Sequence, residues 1–346
     1  MKKLFVILLL FPLFLIAKEK NIVDISDTNV KKNYCAVELN SQGVLYVSAY
    51  DYDGGGVYKS SLLKSNNHFE TIYDNKEVFL FSLKILDFNS STTSDDIILA
   101  GGYLSKCLCG VLLRRDNVSG QWREIYFDDI DNPFVSNIFS ISTNTNNRRN
   151  SFSRIFLGCT NGIIYYSDDN AISFKKANIT AGNSLIKKIS FVNKSTGYAI
   201  IGKDRFLINQ LYKTSDSGRT WKKVIDFSND YIAINDISVS GDTVLLVGSQ
   251  LTKGILLFSI NAGKTFVNIK YMNSIEYPRA LISGSLSDKS IYAVDEAGAV
   301  FKNETDIYIS QKVAEGIKSE KFMNAYFNKK IILIYGFDGK IYKFDK

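Results

Sequence analysis

KTSDSGRTWKKV, residues 213–224, sets Ser, Asp, Gly, Thr and Trp at fixed offsets between two strand-like runs. A short carboxylate caps its own turn, glycine accepts the left-handed conformation, and hydroxyls hold further backbone groups. The ring at the end is placed to pack beneath the hairpin so formed. The stretch reads as a turn, and a turn of this kind ought to recur.

It recurs with its surroundings. The context of Tyr212, just upstream, appears seven times: GGVYKSS at Tyr58, GVLLRR at Leu113, GIIYYS at Tyr165, NQLYKTS at Tyr212, GILLFS at Leu257, GAVFKN at Phe301 and GKIYKF at Tyr342. A glycine precedes six of these anchors by three residues, at Gly55, Gly110, Gly162, Gly254, Gly298 and Gly339, and only Asn209 breaks the column. The anchors are 55, 52, 47, 45, 44 and 41 residues apart, the period of a four-stranded propeller blade. An apolar strand precedes each anchor, a less apolar one precedes that, and a polar strand such as WKKVIDF follows the turn. Apolar inner strands and a wet outer one suit blades packed side by side. The expected fold is therefore all-β, a seven-bladed propeller. The seventh unit stops after its third strand, and NIVDIS, residues 21–26, resembles the missing outer strand. The N-terminal segment is thus expected to close the ring, since an unpaired edge at each end would otherwise remain.

Aligned on the anchors, Thr214, Asp216, Gly218, Thr220 and Trp221 match Ser167, Asp169, Ala171, Ser173 and Phe174 in the third unit, and Ser259, Asn261, Gly263, Thr265 and Phe266 in the fifth. This pattern resembles the Asp-box, S/T-x-D-x-G-x-T-W/F, of the sialidase-type BNR-repeat propellers. In that family the boxes lie on the face opposite the active site, so the resemblance implies a structural role for them. It also implies where a sialidase would carry its chemistry: an arginine cluster, a tyrosine paired with a glutamate, and an acid/base residue. The family's first arginine is expected in the first unit, yet residues 31–75 hold none and the first in the chain is Arg114. Lysine substitutes poorly for bidentate carboxylate recognition. With boxes but without that arginine, the chain looks more like the photosystem II assembly-factor branch of these propellers. That similarity implies binding of a protein on one propeller face, without catalysis.

The chain opens MKKLFVILLLFPLFLIAKEK, two lysines before an apolar run ending at Ala17. This is the layout of a secretory signal peptide, and the run is short for a membrane span of about twenty residues. The expected domains are a signal at 1–17 and a propeller at 18–346, in a periplasmic or secreted, monomeric protein with no transmembrane segment after cleavage. Without Lys2 and Lys3, 40 basic residues face 35 acidic ones, a formal charge of +5. The basic pairs are scattered, which argues against nucleic acid as a partner. In an exported chain the four cysteines are candidates for oxidation. Cys107 and Cys109 share a face of a strand but sit awkwardly for direct bridging. Cys107 and Cys159 each stand three residues before the glycine of adjacent units, so a disulfide there would staple blades two and three. Reduced, buried thiols are the alternative reading.

Glycosidases other than sialidases need only two carboxylates roughly 5–9.5 Å apart. Asp51, Asp53, Asp295, Glu296 and Asp338 lie near the turns opposite the boxes, but Asp-Gly is also an ordinary tight-turn dipeptide. His68 is the lone histidine, and DYDGGG at 51–56 offers oxygens without an EF-hand pattern. No cofactor or metal is implied. A binding face opposite the boxes would draw on Asp51, Asp53, Tyr103, Asp131, Arg205, Tyr231, Tyr277, Arg279 and Asp295. The preferred function is an exported scaffold that binds a protein partner in the bacterial envelope; the alternative is a hydrolase of envelope glycan using two of those carboxylates.

Overall fold

The computed structural model describes residues 23–26, 32–52, 58–65, 68–75, 77–86, 97–107, 109–115, 119–127, 136–144, 154–202, 207–251, 253–271, 280–286, 290–304, 309–314, 322–337 and 339–346. The segment read as a signal lies outside them. Seven sheets are formed. Blade 1 takes strands Asn33–Leu39, Leu45–Tyr52, Tyr58–Ser65 and Phe69–Asn75. Blade 2 takes Val78–Leu86, Ile97–Leu104, Cys109–Arg115 and Trp122–Phe127. Blade 3 is built from Ile138–Thr143, Ile155–Cys159, Ile164–Ser167 and Lys175–Lys176. Blade 4 is built from Leu185–Phe191, Gly197–Gly202, Ile208–Thr214 and Thr220–Asp226. Blade 5 uses Ile232–Ser240, Thr243–Gln250, Lys253–Ser259 and Val267–Asn268. Blade 6 uses Leu281–Leu286, Ser290–Asp295, Val300–Glu304 and Ile309–Ala314. Blade 7 holds Phe322–Phe327, Ile331–Gly336 and Ile341–Asp345, completed by Val23–Asp24.

The first strand of each blade packs against the first strands of both neighbours, and the circuit returns from blade 7 to blade 1. These strands therefore surround the axis. The core is divided into seven apolar clusters, one between each adjacent pair of blades. Second strands such as Gly197–Gly202 are buried throughout, because both of their faces meet a neighbouring blade. The outer strand Thr220–Asp226 buries only Trp221 fully.

Ring closure follows the sequence expectation. Val23 pairs with Lys343 and Asp24 with Tyr342, antiparallel, on the outer edge of blade 7. The Ile25 N–H donates to Ile341 O at 2.9 Å, and the Ile341 N–H donates to Ser26 Oγ at 2.9 Å. Blades 4 and 6 carry a fifth, two-residue strand: Asn178–Ile179 runs parallel to Thr220–Asp226, and Lys270–Tyr271 parallel to Ile309–Ala314. In both, the incoming connection covers an edge that would otherwise be open.

Two sequence expectations are corrected. In blade 2 the anchor Leu113 pairs with Ala100, which pairs with Leu83 just past a bulge. The same register in blade 1 runs Val37, Val47, Leu63. The first anchor is thus Leu63 rather than Tyr58, with Ser60 in place of the glycine. The proposed Cys107–Cys159 staple is replaced by a Cys107–Cys109 bridge, Cα atoms 5.1 Å apart, while Cys159 is free and buried. Cys107 belongs to a turn rather than to a strand, and the turn draws the two Cα atoms into disulfide range. Cys159 instead packs with Leu112, Ile155 and Leu157 between blades 2 and 3, where burial pushes its thiol pKa up.

Candidate functional site

The three boxes share one hydrogen-bond network. In blade 4 the Thr214 hydroxyl donates to Asp216 Oδ1 at 2.8 Å and accepts from the Gly218 N–H at 3.0 Å. Asp216 accepts from the Thr220 N–H at 2.9 Å and the Thr220 hydroxyl at 2.7 Å. Ser167, Asp169, Ala171 and Ser173 repeat these contacts in blade 3, and Ser259, Asn261, Gly263 and Thr265 do so in blade 5 with the last one reversed, Asn261 Nδ2 donating to Thr265 Oγ1 at 2.8 Å. Burial would raise the Asp216 carboxyl, but the Thr220 and Thr214 hydrogen bonds hold it below the ordinary carboxylate value. Ser217 and Gly218 both have positive φ, and a Cβ on Gly218 would stand 2.2 Å from the Phe156 ring of blade 3. Glycine is required there on both counts. Arg154 ties two boxes together: it pairs with Asp168 through Nε at 2.6 Å and Nη2 at 3.1 Å, and donates to Ser217 O at 2.7 Å. These side chains are engaged in shaping turns.

On the opposite face the sequence candidates scatter. Asp295 is buried and accepts from the Ala297 and Ala299 N–H groups at 3.0 and 2.9 Å, so its carboxylate caps the turn after its strand. Asp51 is exposed in blade 1 and stands opposite Lys59. Tyr231 is 73% exposed in a left-handed conformation between blades 4 and 5. Asp53, Asp131, Arg205, Tyr277 and Arg279 lie outside the described residues.

Among the described candidates, Tyr103 alone joins an aromatic cluster. Its ring centroid lies 5.8 Å from those of both Phe79 and Phe81. Phe79 in turn lies 4.8 Å from Tyr50, and Phe81 stacks on Phe139 at 4.3 Å. Five partly exposed rings from blades 1, 2 and 3 thus line one side of the channel mouth. No motif in the sequence singles out FLFS, residues 79–82. The alternation of buried Val78 and Leu80 with partly exposed Phe79 and Phe81 was the signal for a second, solvent-facing side.

Every innermost strand is bulged at the same register. The extra residue is Cys35, Phe81, Phe139, Lys187, Asn235, Ile282 or Met323, in blade order. Each is more exposed than the buried residue before it, as expected when a bulge re-aims a side chain. These seven form a belt around the channel, aromatic on blades 2 and 3 and polar on blades 4 and 5. Lys187 Nζ donates to Asn235 Oδ1 at 3.0 Å, and Asn235 Nδ2 donates to Leu281 O at 2.8 Å. Burial draws the Lys187 ammonium down to about 8; Asp236 opposes this shift and Lys188 adds to it.

In blades 2 to 6 the residue after the bulge links neighbouring blades. Ser140 Oγ accepts from the Ile189 N–H at 3.2 Å, and Ser283 Oγ lies 3.3 Å from Ala325 O of blade 7. Asp236, only 2% exposed, takes Lys188 from blade 4, and from blade 6 the Ser283 hydroxyl at 2.5 Å and the Gly284 N–H at 3.1 Å.

A family model described as photosynthesis system II assembly factor YCF48 matches residues 166–320, a little under half of the chain. No curated protein matches it in sequence. Among solved structures, a catalytically inactive virginiamycin B lyase from Staphylococcus aureus, with quinupristin, superposes with a TM-score of 0.69 at 13% identity, covering 95% of this chain and 100% of the lyase. YCF48 bound to D1 peptide gives 0.62 at 10% identity over 95% and 97% of the two chains. The Niastella koreensis GH74 enzyme gives 0.59 at 16% identity over 88% of this chain and 51% of the enzyme. At such identities the likeness is one of fold, and it embraces catalytic and non-catalytic proteins alike. With seven blades, three Asp-box networks and the matched stretch together, the chain is a seven-bladed propeller with Asp-box turns, similar over residues 166–320 to the YCF48 assembly-factor family and in fold to the other propellers named.

Proposed function

We propose that this chain is an exported, non-catalytic scaffold of the bacterial envelope that docks a protein partner on the face opposite its Asp-boxes. The observation that carries the reading is the ring cluster of Tyr50, Phe79, Phe81, Tyr103 and Phe139 at the channel mouth. Partly exposed aromatic groups on a rigid frame are good anchors, since they bring large contact area at small entropic cost. The YCF48 family match and the structural likeness to YCF48 bound to a peptide support the reading by analogy. The apolar leader at 4–17 supports export.

The test is affinity capture from an envelope extract with the chain from residue 18 onward. Wild-type protein is expected to retain a defined protein partner, and Phe79→Ser with Tyr103→Ser to lose most of it, while unfolding at nearly the same temperature. A partner held equally by the double variant would move the interface elsewhere. Release of reducing sugar from envelope glycan, abolished by Asp51→Asn, would replace the scaffold with a hydrolase.

A further inference from the structure

The belt of bulged residues is asymmetric in a way that selects a ligand. On blades 2 and 3, Phe81 and Phe139 present stacked rings with an interplanar angle of 11°. On blade 4, at the same register, stands Lys187. Lys188 next to it is neutralised by Asp236 of blade 5, and Lys84 by Glu38 at 2.9 Å. Lys187 is not: among the described residues its ammonium makes no ion pair and donates only to the neutral amide of Asn235. That amide cannot turn away, because its nitrogen is committed to Leu281 O. A partly buried cation thus faces the channel with one neutral acceptor and two donor positions unused. An anion supplied from outside would complete it, and the adjacent rings would cover an apolar neighbour of that anion.

We propose that the channel receives an acidic side chain of a partner segment. Its carboxylate meets Lys187 while an aromatic side chain beside it in the same segment lies on the Phe81–Phe139 stack. This rests on the reading of the mouth as a protein-docking face and names what enters it. Charge-assisted hydrogen bonds in a site shielded from water are stronger than neutral ones, and a desolvated pair is weakly screened by salt.

The experiment uses dye-labelled, end-blocked glycine-rich peptides carrying Phe-Glu or Phe-Gly-Glu, with Phe-Gln and Phe-Gly-Gln as controls, read by fluorescence anisotropy on the whole chain from residue 18. At least one Glu peptide is expected to bind about tenfold more tightly than its Gln partner, a difference of about 1.4 kcal/mol. Lys187→Met should abolish that preference and Lys187→Arg should retain it, with both variants folded by circular dichroism. The preference should also fade as pH rises from about 7 to about 10, because Lys187 then loses its proton while Asp236 keeps Lys188 occupied. Equal affinities for Glu and Gln peptides at both spacings, or a preference that survives Lys187→Met, would overturn the proposal. Such a failure alongside partner capture that depends on Phe79 and Tyr103 would leave the scaffold reading standing, so the two are separable.

Discussion

Asp236→Ala is expected to destabilise the protein by about 3–5 kcal/mol, the range for removing one partner of a buried, hydrogen-bonded charge pair. The carboxylate is 2% exposed and joins three blades: Lys188 of blade 4, its own Ile237 N–H at 2.7 Å, and Ser283 and Gly284 of blade 6. Alanine takes the carboxylate acceptor from the Ser283 hydroxyl and from the Ile237 and Gly284 N–H groups, besides the ammonium of Lys188. Lys188→Met should cost less, because that side chain is 43% exposed and its loss leaves the other three donors in place. Urea unfolding of both single variants and the double variant measures the coupling. Equal, small losses from Asp236→Ala and Lys188→Met would show that the carboxylate is not the junction described.

Trp221→Ala should have an effect of similar size, about 3–5 kcal/mol as for other buried large aromatics. The ring is 4% exposed, sits edge-on to Phe191 at 5.9 Å, and donates from Nε1 to Gly218 O at 3.0 Å. It therefore locks the turn of its own box onto the core between blades 3 and 4. Trp221→Phe keeps most of the packing and loses the indole hydrogen bond, for a smaller cost of about 1 kcal/mol. Phe174 and Phe266 occupy the same box position but remain partly exposed, so their alanine variants should lose less than Trp221→Ala. Thermal unfolding of the series checks the order, and similar melting temperatures for all three alanine variants would contradict it.

These contrasts show what a one-dimensional pattern carries and what it does not. The seven units, the box network and the closing strand were legible, because each depends on residue type at a fixed spacing: Thr214 and Asp216 are a turn's own partners, and Val23 belongs to an outer-strand pattern. The first anchor was misplaced, because GGVYKSS imitates the glycine-led pattern better than the residues in true register around Leu63. The cysteine pairing failed for a related reason. Placing Cys107 in an extended strand made its neighbour Cys109 seem out of reach, whereas a turn brings them within 5.1 Å.

At the channel the loss is deeper. A bulge is a property of two paired strands, so nothing in IKKIS announces that Lys187 faces the channel while Ile186 before it is buried. Tyr103 is among the residues the sequence offers for the face opposite the boxes, whereas no motif singles out Phe79, Phe81 or Phe139. Only the ring geometry places all of them at one mouth. Asp295 shows the converse: a carboxylate on the expected face whose hydrogen bonds return to its own backbone.

Everything positional here depends on the chain's two ends meeting in blade 7. The direct measurement is cysteine cross-linking of Val23→Cys with Lys343→Cys, a pair facing each other in register, followed by peptide mapping after mild oxidation. The predicted result is a 23–343 disulfide in high yield from the folded monomer, lost when unfolding precedes oxidation. Absence of that bridge in the folded protein, with position 23 alkylated as fast as a free peptide thiol, would contradict the closed seven-bladed ring.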